Sequence, residues 1–191
     1  AKRGWLREDM MVNFVFRLLL TFNAASLLLI IFLVQNCQAL DKFIPALTQF
    51  NLPGWISYAA YLAVPITLTG VSIFFSSRLG KDEFKKGEVE SIEHANNSFL
   101  PSYLGYFFVA LGISNWEVMW FVYVVLFVFT FLSQALYFNP LFLLFGYEFY
   151  NIKTKNGTAI FLISRHQYKQ PGDIEIATAY RINNYTFIEK D

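Results

Sequence analysis

Two stretches of this chain, residues 18–40 and 118–147, contain no charged side chain at all. A helix in a soluble core needs no such run, but a bilayer crossing needs about 20 consecutive, mostly apolar residues. The chain as a whole is 55% hydrophobic and 15% charged, against about 25% charged in an ordinary soluble domain. Its solvent is therefore lipid over much of its length, and the chain reads as an integral membrane protein.

Four apolar segments stand out: residues 12–34, 55–75, 100–114 and 116–138. At about 1.5 Å per residue the first, second and fourth reach roughly 30–35 Å, enough for the hydrocarbon core. The third gives only about 22 Å, so it is expected to begin earlier or to thin the bilayer locally. The first is longer than the roughly 7–15 apolar residues of a secretory signal, and "VQNCQALDKF" is a poor cleavage site, so a retained helix is expected. Ser114 or Asn115 can cap the fourth helix, with Glu117 in its first turn. Pro140 disfavours helix at Asn139 and is expected to end it.

Of the fifteen Lys and Arg residues, thirteen fall in the N-terminal segment, the second loop or the C-terminal tail and Arg17 lies near the start of the first helix, leaving only Lys42 in the first loop. The positive-inside rule puts that shared side in the cytoplasm. The expected organisation is a cytoplasmic segment over 1–11, a four-transmembrane-helix bundle over 12–146 and a cytoplasmic tail over 147–191. The bundle includes a cytoplasmic loop at 76–99. That loop, "RLGKDEFKKGEVESIEH" at 78–94, mixes acids and bases, and reads as a solvated helix or linker, or as a polar docking segment. It lacks the cluster of unopposed cations that marks anionic-lipid recognition.

The tail has a different character. In "IKTKNGTAIFLIS", Asn156-Gly157 separates two strand-like runs, the signature of a type I′ hairpin. After Pro171-Gly172, the residues Ile174, Ile176, Thr178, Tyr180 and Ile182 alternate with Glu175, Ala177, Ala179 and Arg181, the period of a strand with one buried face. Asn183-Asn184 offers a further turn into "YTFIEK". The reading is a small C-terminal antiparallel β-meander of three or four strands. About 45 residues are too few for a secure core, so the sheet needs cover from the membrane domain, from copies of itself or from a partner. Residues 158–165 are apolar on both faces. Phe161, Ile163, Ile174, Ile176 and Tyr180 are the expected partner or oligomer interface, with Lys85 and Lys86 of the second loop beside them.

Polar groups inside membrane segments carry a functional hypothesis by default. Arg17 can snorkel to the headgroups or pair within the protein, for instance with Glu148. Asn23 and Gln134 can hydrogen-bond across helices, worth about 0.6 kcal/mol on average, or simply pack. Ala59, Ala63, Thr67 and Gly70 form a stripe of small residues that lets another helix approach, within the subunit or between subunits. Pro65 is expected to kink that helix, as a structural feature or as a hinge.

No catalytic motif is present: neither HExxH, nor GxSxG, nor a P-loop, nor a Gly-rich dinucleotide turn. Cys37 is the only cysteine, and His94 and His166 stand apart from other ligand types, so neither metal nor cofactor is expected. Sequons at Asn96, Asn156 and Asn184 lie on the predicted cytoplasmic side and are chance matches.

Four helices with both ends inside and a short β tail, together with "NFVFRLLLTFN" and "SQALYFNPLFLLFGYEFY", resemble the KwaA family, the membrane subunits of the bacterial Kiwa anti-phage system. The resemblance implies a multi-pass inner-membrane protein, a homotetramer, working with a soluble partner, KwaB, whose family is associated with DNA binding and with blocking phage replication. It implies a non-enzymatic sensor and scaffold that oligomerises and anchors this effector at its cytoplasmic face. The residues leave a second reading open, an oligomeric channel or membrane-permeabilising effector lined by the small-residue stripe. The tail's near balance of charge argues against direct nucleic-acid binding.

Overall fold

The computed structural model describes residues 2–97, 100–133 and 139–190, the side chains of 2–11 and 102 excepted. The helices are α1 (Lys2–Gln35), α2 (Leu40–Phe43), α3 (Gly54–Phe75), α4 (Leu100–Gly112), α5 (Trp116–Ser133) and α6 (Leu141–Leu144). The strands are β1 (Lys81–Phe84), β2 (Val89–His94), β3 (Glu148–Thr154), β4 (Ala159–Ser164), β5 (Ile176–Arg181) and β6 (Thr186–Glu189).

Three segments, 12–35, 54–78 and 116–133, are long and apolar enough to cross a membrane. The fourth apolar segment forms the shorter α4, of 13 residues. Helix is the form such segments must take in lipid, because it pairs every interior backbone group locally. The expected cap of α5 is Asn115, whose Oδ1 accepts the Val118 N–H at 2.9 Å. The helix α1 is central, since α3, α4 and α5 all pack against it. Away from the sheet, Ala25, Leu28 and Phe32 of α1 meet Ala110 and Ile113, and Met119 and Tyr123 of α5.

The tail is not an antiparallel meander. It belongs to a six-stranded mixed sheet of order β1-β5-β6-β4-β3-β2. Strands β3–β4 and β5–β6 are antiparallel hairpins, but β4 and β6 run parallel, Leu162 opposite Phe187. The crossover through 165–175 carries the chain past the β6 position, so β6 returns to fill the gap. The β3–β4 turn also differs from type I′. Only Gly157 has positive φ, and its N–H donates to Thr154 O at 2.8 Å. This is a three-residue loop ending in a left-handed glycine.

The two outer strands come from the loop between α3 and α4, so that loop is neither a helix nor a free linker. Strand β1 pairs with β5 and β2 with β3, at opposite edges of the sheet. Six strands laid flat put their edges about 24 Å apart. The chain from Phe84 to Val89 reaches at most about 17 Å. The sheet must therefore curl into an open barrel, with its edges drawn together by the Lys85–Glu88 turn, where Gly87 takes φ +87°. Its interior is apolar, with Val89, Tyr150, Ile152, Ile160, Leu162 and Phe187 among the buried residues.

The outer face of the barrel packs on the helices. Phe149, Phe161, Ile163 and Ile188 form one cluster with Phe16 and Leu20 of α1, Ile73 of α3, Leu79 and Phe142. Both apolar faces of β4 are thus covered from within the chain, Ile160 and Leu162 by the barrel, Phe161 and Ile163 by the helices.

Candidate functional site

The helix–sheet joint is the part of this fold best placed to do something. Three short transitions cross it. At the end of α3, a 3-10 turn (Ser76–Arg78) leads through Leu79 and Gly80 straight into β1. Leu79 is 4% exposed, and Gly80 O accepts the Arg181 N–H at 2.7 Å. Beyond β2, the Ala95 N–H donates to Phe149 O at 2.7 Å, and Asn96 Oδ1 accepts the Phe149 N–H at 2.8 Å. Beyond α6, Gly146 turns with φ +77° into β3. Hydrogen bonding and burial fix the chain on the strand side of each transition.

Just inside the joint lies a buried polar node. The Thr69 hydroxyl donates to Pro65 O at 2.8 Å and accepts from two amides, Asn23 Nδ2 at 2.5 Å and Asn139 Nδ2 at 2.9 Å. Asn139 Oδ1 accepts the Leu141 N–H at 3.0 Å, fixing the turn that enters α6. Asn23 and Thr69 are fully buried, and Asn23 Oδ1 has no hydrogen-bond partner among the described residues. One hydroxyl thus ties α1, α3 and the approach to α6 together, four residues from the proline in α3.

On the sheet side, at the ends of β2, β3, β4 and β6, two carboxylates organise a polar crown. Glu148 accepts from Tyr150 Oη at 2.7 Å and Gln167 Nε2 at 3.0 Å, with His94 Nε2 at 3.3 Å. Glu189, buried, accepts from Ser164 Oγ at 2.5 Å and Tyr168 Oη at 2.9 Å, with His166 Nδ1 at 3.3 Å. The Tyr150 hydroxyl, then Gln167 and His94, hold the Glu148 carboxyl below its ordinary value against the opposing effect of burial. Burial, reinforced by Glu148, pushes Tyr150 up to about 12. Burial and the Glu189 carboxylate raise Tyr168 as well. Ser164 donates directly to a carboxylate, with no imidazole between them to act as base, so this is not the arrangement of an activated serine nucleophile. No group of three or more His, Cys, Asp or Glu side chains is placed to hold a metal among the described residues. The crown acts as a clasp that fastens the 165–170 loop over the barrel end.

The family model described as anti-phage protein KwaA matches residues 16–188. The chain belongs to the KwaA family. That confirms the resemblance carried by the helix pattern and the two quoted runs, and it places the chain in anti-phage defence. No protein of curated function and no solved structure matches it.

In this KwaA-family chain the residues expected at an interface are distributed unevenly. Phe161, Ile163, Ile174 and Ile176 are buried within the chain, so their apolar surface is spent on its own core, and Tyr180 is half-buried beneath Lys81. Lys85 is exposed, 3.1 Å from Glu83, and Lys86 is exposed in the same turn. Of the small-residue stripe, Ala59, Ala63 and Thr67 lie on an exposed face of α3. Gly70 is half-buried, and a Cβ there would come within 3.3 Å of the Phe145 ring. The buried face of α3 uses Ser57, Pro65, Thr69, Ser72 and Ile73 instead.

Arg17 reaches α5: Nη2 lies 3.4 Å from Phe131 O, and the guanidinium sits 5.2 Å from the centre of the Phe131 ring. Gln134 falls outside the described residues. Asn23 is in the node, but its partners Thr69 and Asn139 had no signal beyond being polar in apolar runs. Phe84, Val89 and Ile92 were hidden because a strand pattern of four to six residues is hard to see among charges.

Proposed function

We propose that this chain is a non-enzymatic sensor and scaffold that crosses the bacterial inner membrane four times, oligomerises, and holds a soluble KwaB-like effector at its cytoplasmic face. The observation that carries this reading is the weave of the 76–99 loop. Because β1 continues α3 and β2 leads to α4, a shift of these helices must pull on both edges of the barrel at once. A membrane event would thereby change the surface offered to an effector.

Sheet membership also supports the crossings. Strands β1 and β2 precede α4, strands β3–β6 follow α5, and all six share one sheet, so α4 and α5 must together return the chain to the side it left. The packing of Phe16 and Leu20 against the sheet puts the start of α1 on that side too. The distribution of basic residues supports reading that side as the cytoplasm.

An insertion of Gly-Ser-Gly after Gly80 tests the coupling. The expected result is a folded protein that still co-purifies with the effector but no longer protects cells from phage. Full protection from the insertion variant would sink the coupling. Retention of the effector by a variant with an unfolded sheet would sink the docking role. The channel reading keeps one observation in its favour, the exposed Ala59–Ala63–Thr67 face. Ion flux from liposomes holding this protein alone would select it, whereas a scaffold gives none.

A further inference from the structure

Between α1 and α3, close to the joint, runs an open groove of about 530 Å³. Val12, Val15 and Leu19 form one wall, Val71 and Phe75 the other, and buried Phe16 the floor. Both walls belong to segments suited to cross a membrane. One lining residue breaks the apolar pattern: Arg78, at the sheet end of the groove. It is exposed, and its guanidinium forms no hydrogen bond or ion pair among the described residues. Lys190 approaches the same helix end, its ammonium 3.4 Å from Phe74 O and 5.9 Å from the centre of that ring, and it too has no ion pair among the described residues.

The groove runs about 10 Å along each helix, from Val12 to Leu19 and from Val71 to Arg78. That is most of the depth of one leaflet, about 15 Å of hydrocarbon. An apolar slot of this depth, ending at Arg78, a cation with no ion pair among the described residues, is complementary to an acyl chain with an anion at its head. The planar guanidinium fork matches a phosphate in particular. A phospholipid supplies both the apolar tail and the charged head that such a slot accepts. We propose that the groove holds one anionic glycerophospholipid of the sheet-side leaflet, its acyl chain along the α1–α3 seam and its phosphate on Arg78, with Lys190 beside it. This is a single lipid held in a slot, distinct from attraction of a polybasic patch to a surface.

The test uses the full chain in mild detergent, titrated with dioleoylphosphatidylglycerol or dioleoylphosphatidylcholine, with bound lipid counted by native mass spectrometry. The first equivalent of the anionic lipid is expected to bind about fivefold tighter than the zwitterionic one, the effect of one cation near a headgroup. Arg78→Gln should abolish that preference and Arg78→Lys should keep most of it. Val15→Trp, which fills the groove, should lower retention of both lipids. These side chains are exposed, so helical content and elution volume should stay unchanged and exclude misfolding as the cause. Equal affinity for the two lipids, or a preference that survives Arg78→Gln, would overturn the site. So would a Val15→Trp protein of altered oligomer mass and unchanged lipid retention, which would give the groove to a second copy.

Discussion

Thr69 is where three segments of the membrane domain meet on one oxygen. Its replacement by Val keeps the shape but leaves the Asn23 and Asn139 amides without an acceptor. An orphaned buried donor costs about 1–3 kcal/mol, more than the average membrane hydrogen bond of about 0.6 kcal/mol. Thr69→Val is therefore expected to lower stability by about 1–3 kcal/mol in a mixed-micelle unfolding titration, whereas Thr69→Ser should be close to neutral. Asn23→Leu should cost less than Thr69→Val, because it removes the unpartnered Asn23 Oδ1 along with the lost bond. Of this node the sequence displayed only Asn23, since polarity can be read along a chain but a partner 46 or 116 positions away cannot. The clasp behaves differently, because it titrates. Glu148 has its pKa lowered on folding, so its contribution is present above the ordinary carboxylate range and lost as pH falls through the lowered value. Tyr150→Phe removes the largest cause, so the acid unfolding edge should move to higher pH, and by more than in Gln167→Ala. At the alkaline end Tyr150 holds its proton up to about 12, so stability should fall between about pH 10 and 12 in the native protein, and the decline should be shallower in Tyr150→Phe, where only Tyr168 of this pair still contributes to it. An acid edge indifferent to Tyr150→Phe would remove Glu148 as its cause.

At the scale of elements, the long helices were legible because lipid writes its demand as uninterrupted apolar runs. The hairpins at 157 and 183–184 were legible because turn residues announce them. What escaped was the pairing. A parallel β4–β6 contact and two edge strands borrowed from about 60 and about 95 residues upstream leave no local mark, and a four-residue strand such as β1 reads as a charged linker. The apolar two-sidedness of β4 was seen correctly, but its cover turned out to be the chain's own helices, so buried Phe161 and Ile163 are poor candidates for a partner surface. The borrowed strands give a sharp prediction. Val89 is 4% exposed, inside the barrel, so Val89→Asp buries a charge between β2 and the core and should unfold the sheet. Trypsin should then cut at Lys153, Lys155 and Lys169, although these lie some 60 to 80 positions downstream, while the membrane helices keep their circular dichroism. Glu90→Ala, which removes only the exposed pair with Lys153, should change stability by less than about 0.5 kcal/mol. A tail that stays protease-resistant in Val89→Asp would mean that β3–β6 stand without the loop, and the coupling argument would fail with it.

For the whole molecule, sidedness and assembly are the open quantities, and each has a built-in probe. Cys37 is the only cysteine and is exposed in the turn after α1, on the opposite side from the sheet if each long helix crosses. A membrane-impermeant maleimide should label it in cells with a permeabilised outer membrane, whereas Cys37→Ser/Lys86→Cys should react only after the inner membrane is broken. The reverse pattern would invert the orientation. Assembly is probed by the exposed face of α3. In one chain Ala59, Ala63 and Thr67 touch little, yet helices associate in lipid mainly where small side chains let backbones come close. An oligomer built on this face needs Ala63 to stay small. Ala63→Trp should then reduce the mass of the detergent-solubilised particle without loss of helix, because the substituted position is exposed in the single chain. Gly70→Ala offers the contrast, for its nearest neighbour is Phe145 of the same chain, so it should affect stability slightly and assembly not at all. If Ala63→Trp leaves the particle mass unchanged, the copies meet elsewhere and this face is free for lipid.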